Sequence, residues 1–162
     1  MNSAKEANMN VLRVWGGGVY ERDEFYELAD KLGIMIWQDF MFACSTYPTN
    51  EDYLSNVKDE VSYQINRLRN HPSIIIWAGN NENEAAISTN WYNTTNNQTL
   101  YENDYRKLYI DVIKNIVQDI DPEISRPFLS SSPTNGLETI AENWIAKNPY
   151  DSLVKYNKKT NL

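Results

Sequence analysis

The sequence predicts an α/β fold of four strand–helix units around a parallel sheet. Short β-rich apolar runs alternate with longer stretches of helical spacing. The runs are nearly continuous in apolar character, as strands are when helices cover a parallel sheet. Polar and aromatic residues gather directly after the runs, where α/β folds carry their sites. At 162 residues the chain is long enough for one domain with a sizeable core.

The first strand is expected over residues 11–15 (VLRVW), closed by Gly16, Gly17 and Gly18. Phe25, Leu28, Ala29 and Leu32 then fall at helical spacing, with Gly33 as a C-terminal stop. Residues 34–38 (IMIWQ) read as the second strand. Leu54, Val57, Val61, Ile65 and Leu68 share one face of a helix over 52–69. Residues 73–77 read as the third strand. A helix over 101–120 points Tyr105, Leu108, Tyr109, Val112, Ile113, Ile116 and Ile120 inward, and 88–99 reads as a flexible polar loop. A weaker fourth strand spans 127–130, and a last amphipathic helix 137–147 carries Leu137, Ile140, Ala141, Trp144 and Ile145. An open doubly wound sheet and part of a (β/α)8 barrel both fit this order.

Composition narrows the chemistry. The net charge of −7 speaks against a nucleic-acid partner, which calls for clustered Lys and Arg. No apolar run nears the roughly 18 residues of a membrane span, and the first ten residues show no signal peptide. Cys44 and His71 are each the sole residue of their type, so disulfides, Ser-His-Asp triads and thiolate or multi-histidine metal sites are not expected. His71 precedes the third strand, on the edge opposite the polar cluster, and reads as a turn residue before Pro72. The two sequons, at Asn93 and Asn97, occur at the frequency chance gives an Asn-rich chain.

Chemistry is therefore left to carboxylates. Glu82 and Glu84, in the stretch GNNENE, stand two residues apart. They suit a helix N-terminus, or one of them suits a general acid in a partly buried mouth lined by Trp15, Trp77 and Trp91. Spacing does not say which glutamate lines the site. Asp39 follows the second strand. With strands about 4.8 Å apart, Asp39 and Glu82 could approach the roughly 5–5.5 Å of a retaining glycosidase pair; the alternative is an Asp that holds a loop. The triple glycine also invites a dinucleotide-binding reading, but Glu21 replaces the third glycine, and Glu21, Asp23 and Glu24 crowd the place of a pyrophosphate. Indoles beside carboxylates and amides suit a sugar, whose C–H face packs on the ring.

The stretches NMNVLRVWGGGVYERDEFYELADKLGIMIWQDFMFAC, NHPSIIIWAGNNENE and RPFLSSSPTNG closely resemble the β-mannosidases of the animal lysosomal type, in glycoside hydrolase family 2. The likeness runs from about residue 8 to 149, leaving 150–162 as a divergent polar tail. It implies a partial (β/α)8 barrel, strands two through five, and retaining hydrolysis of terminal β-D-mannose from oligosaccharides of glycoproteins in the lysosome, with no cofactor or metal. It assigns Glu82 as acid/base and Asn81 as a ligand of the sugar 2-hydroxyl. Trp15 and Trp91 become aromatic binding positions, and Arg13 and Asp39 polar binding residues that support the acid/base. It places the nucleophile on a second glutamate, on a later strand that this sequence does not match. The expectation is that the chain alone is inactive and only marginally stable without the remainder of the barrel and the N-terminal β-domains, and that Glu84→Gln changes turnover little. A non-catalytic carbohydrate-binding or regulatory piece is the alternative.

Overall fold

The computed structural model describes residues 1–122 and 126–148. Four parallel strands form one sheet in the order β1 (Val11–Val14), β2 (Met35–Asp39), β3 (Ile74–Ala78) and β4 (Phe128–Leu129). The order never reverses. A doubly wound sheet needs a reversal at its switch point, whereas a (β/α)8 barrel adds each strand beside the last. The sheet is therefore a run of consecutive barrel strands. The tail from 150 onward, and the boundary set for it at 149, lie outside the described residues.

A short helix, α1 (Asn2–Glu6), precedes the first strand and was not expected; it buries nothing. Helix α2 (Asp23–Leu32) carries Asp23 and Glu24 in its first turn, where carboxylates favour the dipole. It stops at Gly33, whose φ of 69° is left-handed. Helix α3 (Glu51–Leu68) buries Leu54, Val57, Val61, Ile65 and Leu68, the five residues its spacing selects. Burial of each such side chain stabilises by roughly 1.5–3 kcal/mol. One apolar cluster joins these helices to Ile36, Ile74 and Trp77 of the sheet.

The opposite face of the sheet is exposed in its amino-terminal part. Val11 and Met35 are partners in register and both exposed, as is Ile75. Parallel sheets are normally covered on both sides. In a closed barrel this face is the packed interior.

The third helical region differs in detail from its pattern. Helices α4 (Asn83–Ser88) and α5 (Gln98–Tyr105) flank a 3-10 segment, Trp91–Asn97, where a polar loop was expected. Asn90, left-handed at φ 60°, starts the segment and accepts hydrogen bonds from the Thr95 amide and hydroxyl at 2.9 Å each. A π-helical stretch, Arg106–Lys114, joins α5 to α6 (Asn115–Ile120). Its wider turn rotates the inward face by one residue, so Val117 is fully buried and Ile116 only partly so.

The last helix is shorter than expected. Helix α7 (Leu137–Ala141) has five residues, with Leu137 and Ile140 exposed. The chain then turns through left-handed Asn143 and Trp144 and buries Ile145 and Ala146. The cause is polar: the Ala146 N–H donates to buried Glu84 Oε1 at 2.9 Å, an arrangement a continuing helix would not allow.

Candidate active site at the carboxyl ends of the strands

The parallel ladder continues past the strand ends and carries the loops to a common rim. Asn81 bridges Ala43 on one side and Ser132 on the other. The Asn81 N–H donates to Phe42 O, the Cys44 N–H to Asn81 O, and the Glu82 N–H to Ser132 O, at 2.9, 2.9 and 3.1 Å. The rim is thus fixed by backbone pairing before any side chain contributes.

Within residues 80–84 each side chain takes a different course. Asn80 is fully buried and ties the loop to the end of β4: its Nδ2 donates to Ser130 O at 2.8 Å, and its Oδ1 accepts from the Ser131 hydroxyl at 2.6 Å. Asn83 accepts from the Ser45 N–H and donates to the Tyr109 hydroxyl, at 3.1 and 2.6 Å. Glu84 turns inward and is fully buried, accepting from the Thr139 hydroxyl at 2.8 Å and the Ala146 N–H at 2.9 Å. Its second oxygen is buried and unpaired. Burial pushes the Glu84 carboxyl above its ordinary range, partly offset by those two donors.

Glu82 alone of the two glutamates stays at the rim, partly exposed. Its backbone is left-handed at φ 65°, a conformation that costs a non-glycine residue roughly 1 kcal/mol or more. Its Oε2 accepts from Asn81 Nδ2 and from the Cys44 thiol, both at 3.3 Å.

Behind it stands an ordered support. Asn81 Oδ1 accepts from Arg13 Nη2 at 3.0 Å, and the same guanidinium forms a two-pronged pair with Asp39 at 2.6 Å and 3.1 Å. Asp39 is fully buried. It also accepts from the Gly16 N–H at 3.0 Å and Trp37 Nε1 at 2.9 Å. Strand geometry arranges this, since Arg13 and Trp37 are partners in register and Trp37 and Asp39 share a face two residues apart. The reading in which Asp39 faces Glu82 as a second reacting carboxylate finds no place in this arrangement. Asp39 ends β2 rather than following it, and both its oxygens are taken up by the chain's own N–H groups.

The glycines of the first loop are explained by close approach. A Cβ at Gly16 would lie 2.6 Å from Phe42 O and 2.7 Å from Phe40 O. One at Gly17 would lie 2.2 Å from the Trp15 ring, so the half-exposed indole folds over this glycine. The ring covers the glycine turn, and α2 begins only at Asp23, five residues after Gly18. The structure thus brings Arg13, Asp39, Asn81 and Glu82 into one hydrogen-bonded chain, with Trp15 at the same rim. Trp91 packs edge-on against Tyr92, 6.4 Å between centroids, and the Tyr92 hydroxyl donates to Cys44 O.

Sequence reasoning missed two residues here. Trp37 is one, although its period-two relation to Asp39 is a readable signal. Cys44 is the other: as the sole cysteine it argues only against disulfides and thiolate metal sites, and nothing in its spacing points to Glu82.

His71 lies at the other edge, as expected of a turn residue. Its Nδ1 meets Asp30 Oδ2 at 2.7 Å, and the Ile74 N–H donates to its carbonyl. Among the described residues no group of three or more His, Cys, Asp or Glu is placed to hold a metal ion, and no helix is long and apolar enough to cross a membrane.

Comparison with known proteins agrees with the barrel fold. Residues 5–128 match the family described as glycosyl hydrolases family 2, TIM barrel domain. The chain is 60% identical over 153 residues to the β-mannosidase of Bos taurus, covering 93% of this chain and 17% of that protein. It is 46% identical over 167 residues to a probable β-mannosidase of Caenorhabditis elegans, covering all of this chain and 18% of that protein. The crystal structure of the β-D-mannosidase of Dictyoglomus thermophilum superimposes with a TM-score of 0.74 at 47% identity, covering 82% of this chain and 16% of that one. The chain thus spans less than a fifth of the length of these relatives. It belongs to the family 2 glycosyl hydrolases, within their TIM barrel domain.

Proposed function

We propose that this chain supplies the acid/base half of the active site of a retaining β-mannosidase, which removes terminal β-D-mannose from oligosaccharides. The observation that carries the proposal is the opposite fate of the two glutamates. Glu84 is sealed inside, and Glu82 stands at the rim with one oxygen held by Asn81 and Cys44. A carboxyl held in this way can protonate a departing glycosidic oxygen and then, ionised, take a proton from the incoming water.

Asn81, fixed by Arg13, is oriented to meet a sugar hydroxyl, and Arg13 is itself fixed by Asp39. The half-exposed Trp15 offers a face for the C–H surface of the sugar, and Trp91 takes a similar part from the loop after α4. The resemblance to the lysosomal type carries the compartment with it.

A retaining reaction needs a second carboxylate on the opposite side of the anomeric carbon, roughly 5–5.5 Å from the first. Asp39 and Glu84 are both buried and bonded within the chain, so neither is assigned that role. On this reading the second carboxylate lies on a later strand of the full barrel, and the chain by itself is expected to be inactive. The test has two arms. The chain alone is assayed on an aryl β-mannoside, with no turnover expected. A chimera in which it replaces the matching stretch of the bovine β-mannosidase is assayed in parallel, with turnover expected. Robust turnover by the chain alone, or a chimera whose Glu82→Gln variant keeps full activity on every substrate, overturns the proposal.

A further inference from the structure

We propose that Cys44 is a positioning residue for Glu82: its thiol and the Asn81 amide together hold the Glu82 carboxyl in one orientation toward the leaving-group oxygen. The inference rests on the acid/base role of Glu82.

Three contacts close a small ring. The Cys44 thiol donates to Glu82 Oε2 at 3.3 Å, Asn81 Nδ2 approaches the Cys44 sulfur at 3.2 Å, and the same Nδ2 reaches Glu82 Oε2 at 3.3 Å. A carboxyl with one oxygen held by two donors loses its freedom to turn about the Cγ–Cδ bond. Its reactive edge is then set before substrate arrives, which is the preorganisation that proton transfer rewards.

The backbone shows that the thiol is aimed. Cys44 is left-handed at φ 48°, as Glu82 is at 65°, so two non-glycine residues in a disfavoured conformation face each other across the contact. Cys44 is held there on both sides of its peptide. Its N–H donates to Asn81 O at 2.9 Å, and its carbonyl accepts from the Tyr92 hydroxyl. Burial and the neighbouring Glu82 carboxylate push the thiol pKa up, so the side chain stays a neutral donor rather than a thiolate. A thiol that merely filled space would need neither the aimed backbone nor the paired amide.

The test uses the fact that Cys44 is the sole cysteine. The infrared S–H stretching band of the whole chain then reports this one contact. The band is expected below that of a free thiol in water, and Glu82→Ala should move it up. In the bovine chimera, Cys44→Ala should lower kcat/KM on mannosyl disaccharides by roughly three- to tenfold and leave a dinitrophenyl mannoside unchanged, because only the former needs a proton. Cys44→Ser, which keeps a donor, should recover most of the loss. Tyr92→Phe should give a smaller loss of the same kind. An S–H band indifferent to Glu82→Ala overturns the inference. So does a Cys44→Ala loss that is equal on both substrates and not rescued by serine. A chimera with no activity at all counts against the acid/base reading instead, and the infrared band still decides the thiol contact.

Discussion

Two clusters of the same three residue types lie at opposite edges of the sheet. At the carboxyl-terminal rim, Arg13 pairs with Asp39 at 2.6 Å, and Asp39 accepts from Trp37 Nε1 at 2.9 Å. At the amino-terminal edge, Arg126 pairs with Asp121 at 2.6 Å, and Asp121 accepts from Trp77 Nε1 at 2.8 Å. The difference lies in where the guanidinium reaches next. Arg126 donates to the carbonyls of Ile74, Arg69 and His71, and so closes the loop below β3. Arg13 donates to the side chain of Asn81, one residue from Glu82. An Arg–Asp–Trp cluster is therefore no mark of a reactive site in itself. What it holds decides: backbone in one case, the side chain beside Glu82 in the other.

The largest expected effect lies at the end of the rim chain. In the chimera, Glu82→Gln should lower kcat/KM on substrates with poor leaving groups by roughly 10²–10⁴-fold, and much less on activated aryl mannosides. Equal losses on both would remove the acid role and with it the contrast between the two edges.

Next come the two aspartates. Asp121→Asn breaks a pair that is 7% and 12% exposed, and should cost about 3–5 kcal/mol of stability while turnover per folded molecule stays unchanged. Asp39→Asn frees an arginine that is 34% exposed, so its stability cost should be smaller, about 2–3 kcal/mol, but turnover should fall as Asn81 loses its anchor. Denaturation curves and kinetics on the same preparations check both. If both variants affect turnover alike, the comparison fails.

A pH experiment separates Glu84 from Asp30. Burial raises the Glu84 carboxyl, so its contribution is fully present below the ordinary carboxyl value of about 4.3 and is lost as pH rises through the higher folded value. Glu84→Gln stays neutral throughout. Its melting temperature relative to the parent should climb with pH over that window, and turnover should hold. Asp30 behaves oppositely. Burial pushes its carboxyl up, but hydrogen bonds from Ser73 and His71 outweigh that and leave it below its ordinary value. Its contribution is present above the ordinary value and lost as pH falls through the folded one. The smallest effect belongs to Gly17→Ala, which should displace the Trp15 indole and raise KM a few-fold with kcat little changed.

Much of the fold was legible because its signals are local. The strands read as apolar runs, and their ends fell within a residue or two of the observed ones, although β4 is only two residues long. The spacing of Leu54 to Leu68 sufficed to name the buried face of α3. The polar cluster after the strands was also readable, since every parallel strand delivers its loop to the same edge. Which of Glu82 and Glu84 turns inward was not readable from spacing, because it depends on partners far along the chain: Thr139 and Ala146 lie 55 and 62 positions beyond Glu84. The same long-range capture shortened the last helix, which periodicity alone extends to 147. The inward shift from Ile116 to Val117 escaped for a different reason, since no residue in 106–114 announces a wider turn.

The left-handed backbone at position 82 also bears on how this segment tolerates change. A glycine would sit there without strain, so Glu82→Gly relieves the main chain while removing the carboxyl. Selection acting on folding alone would drift toward glycine at this position, and selection acting on sugar release would hold glutamate against that drift. A library screened once for abundance and once for hydrolysis should therefore rank these two residues in opposite order.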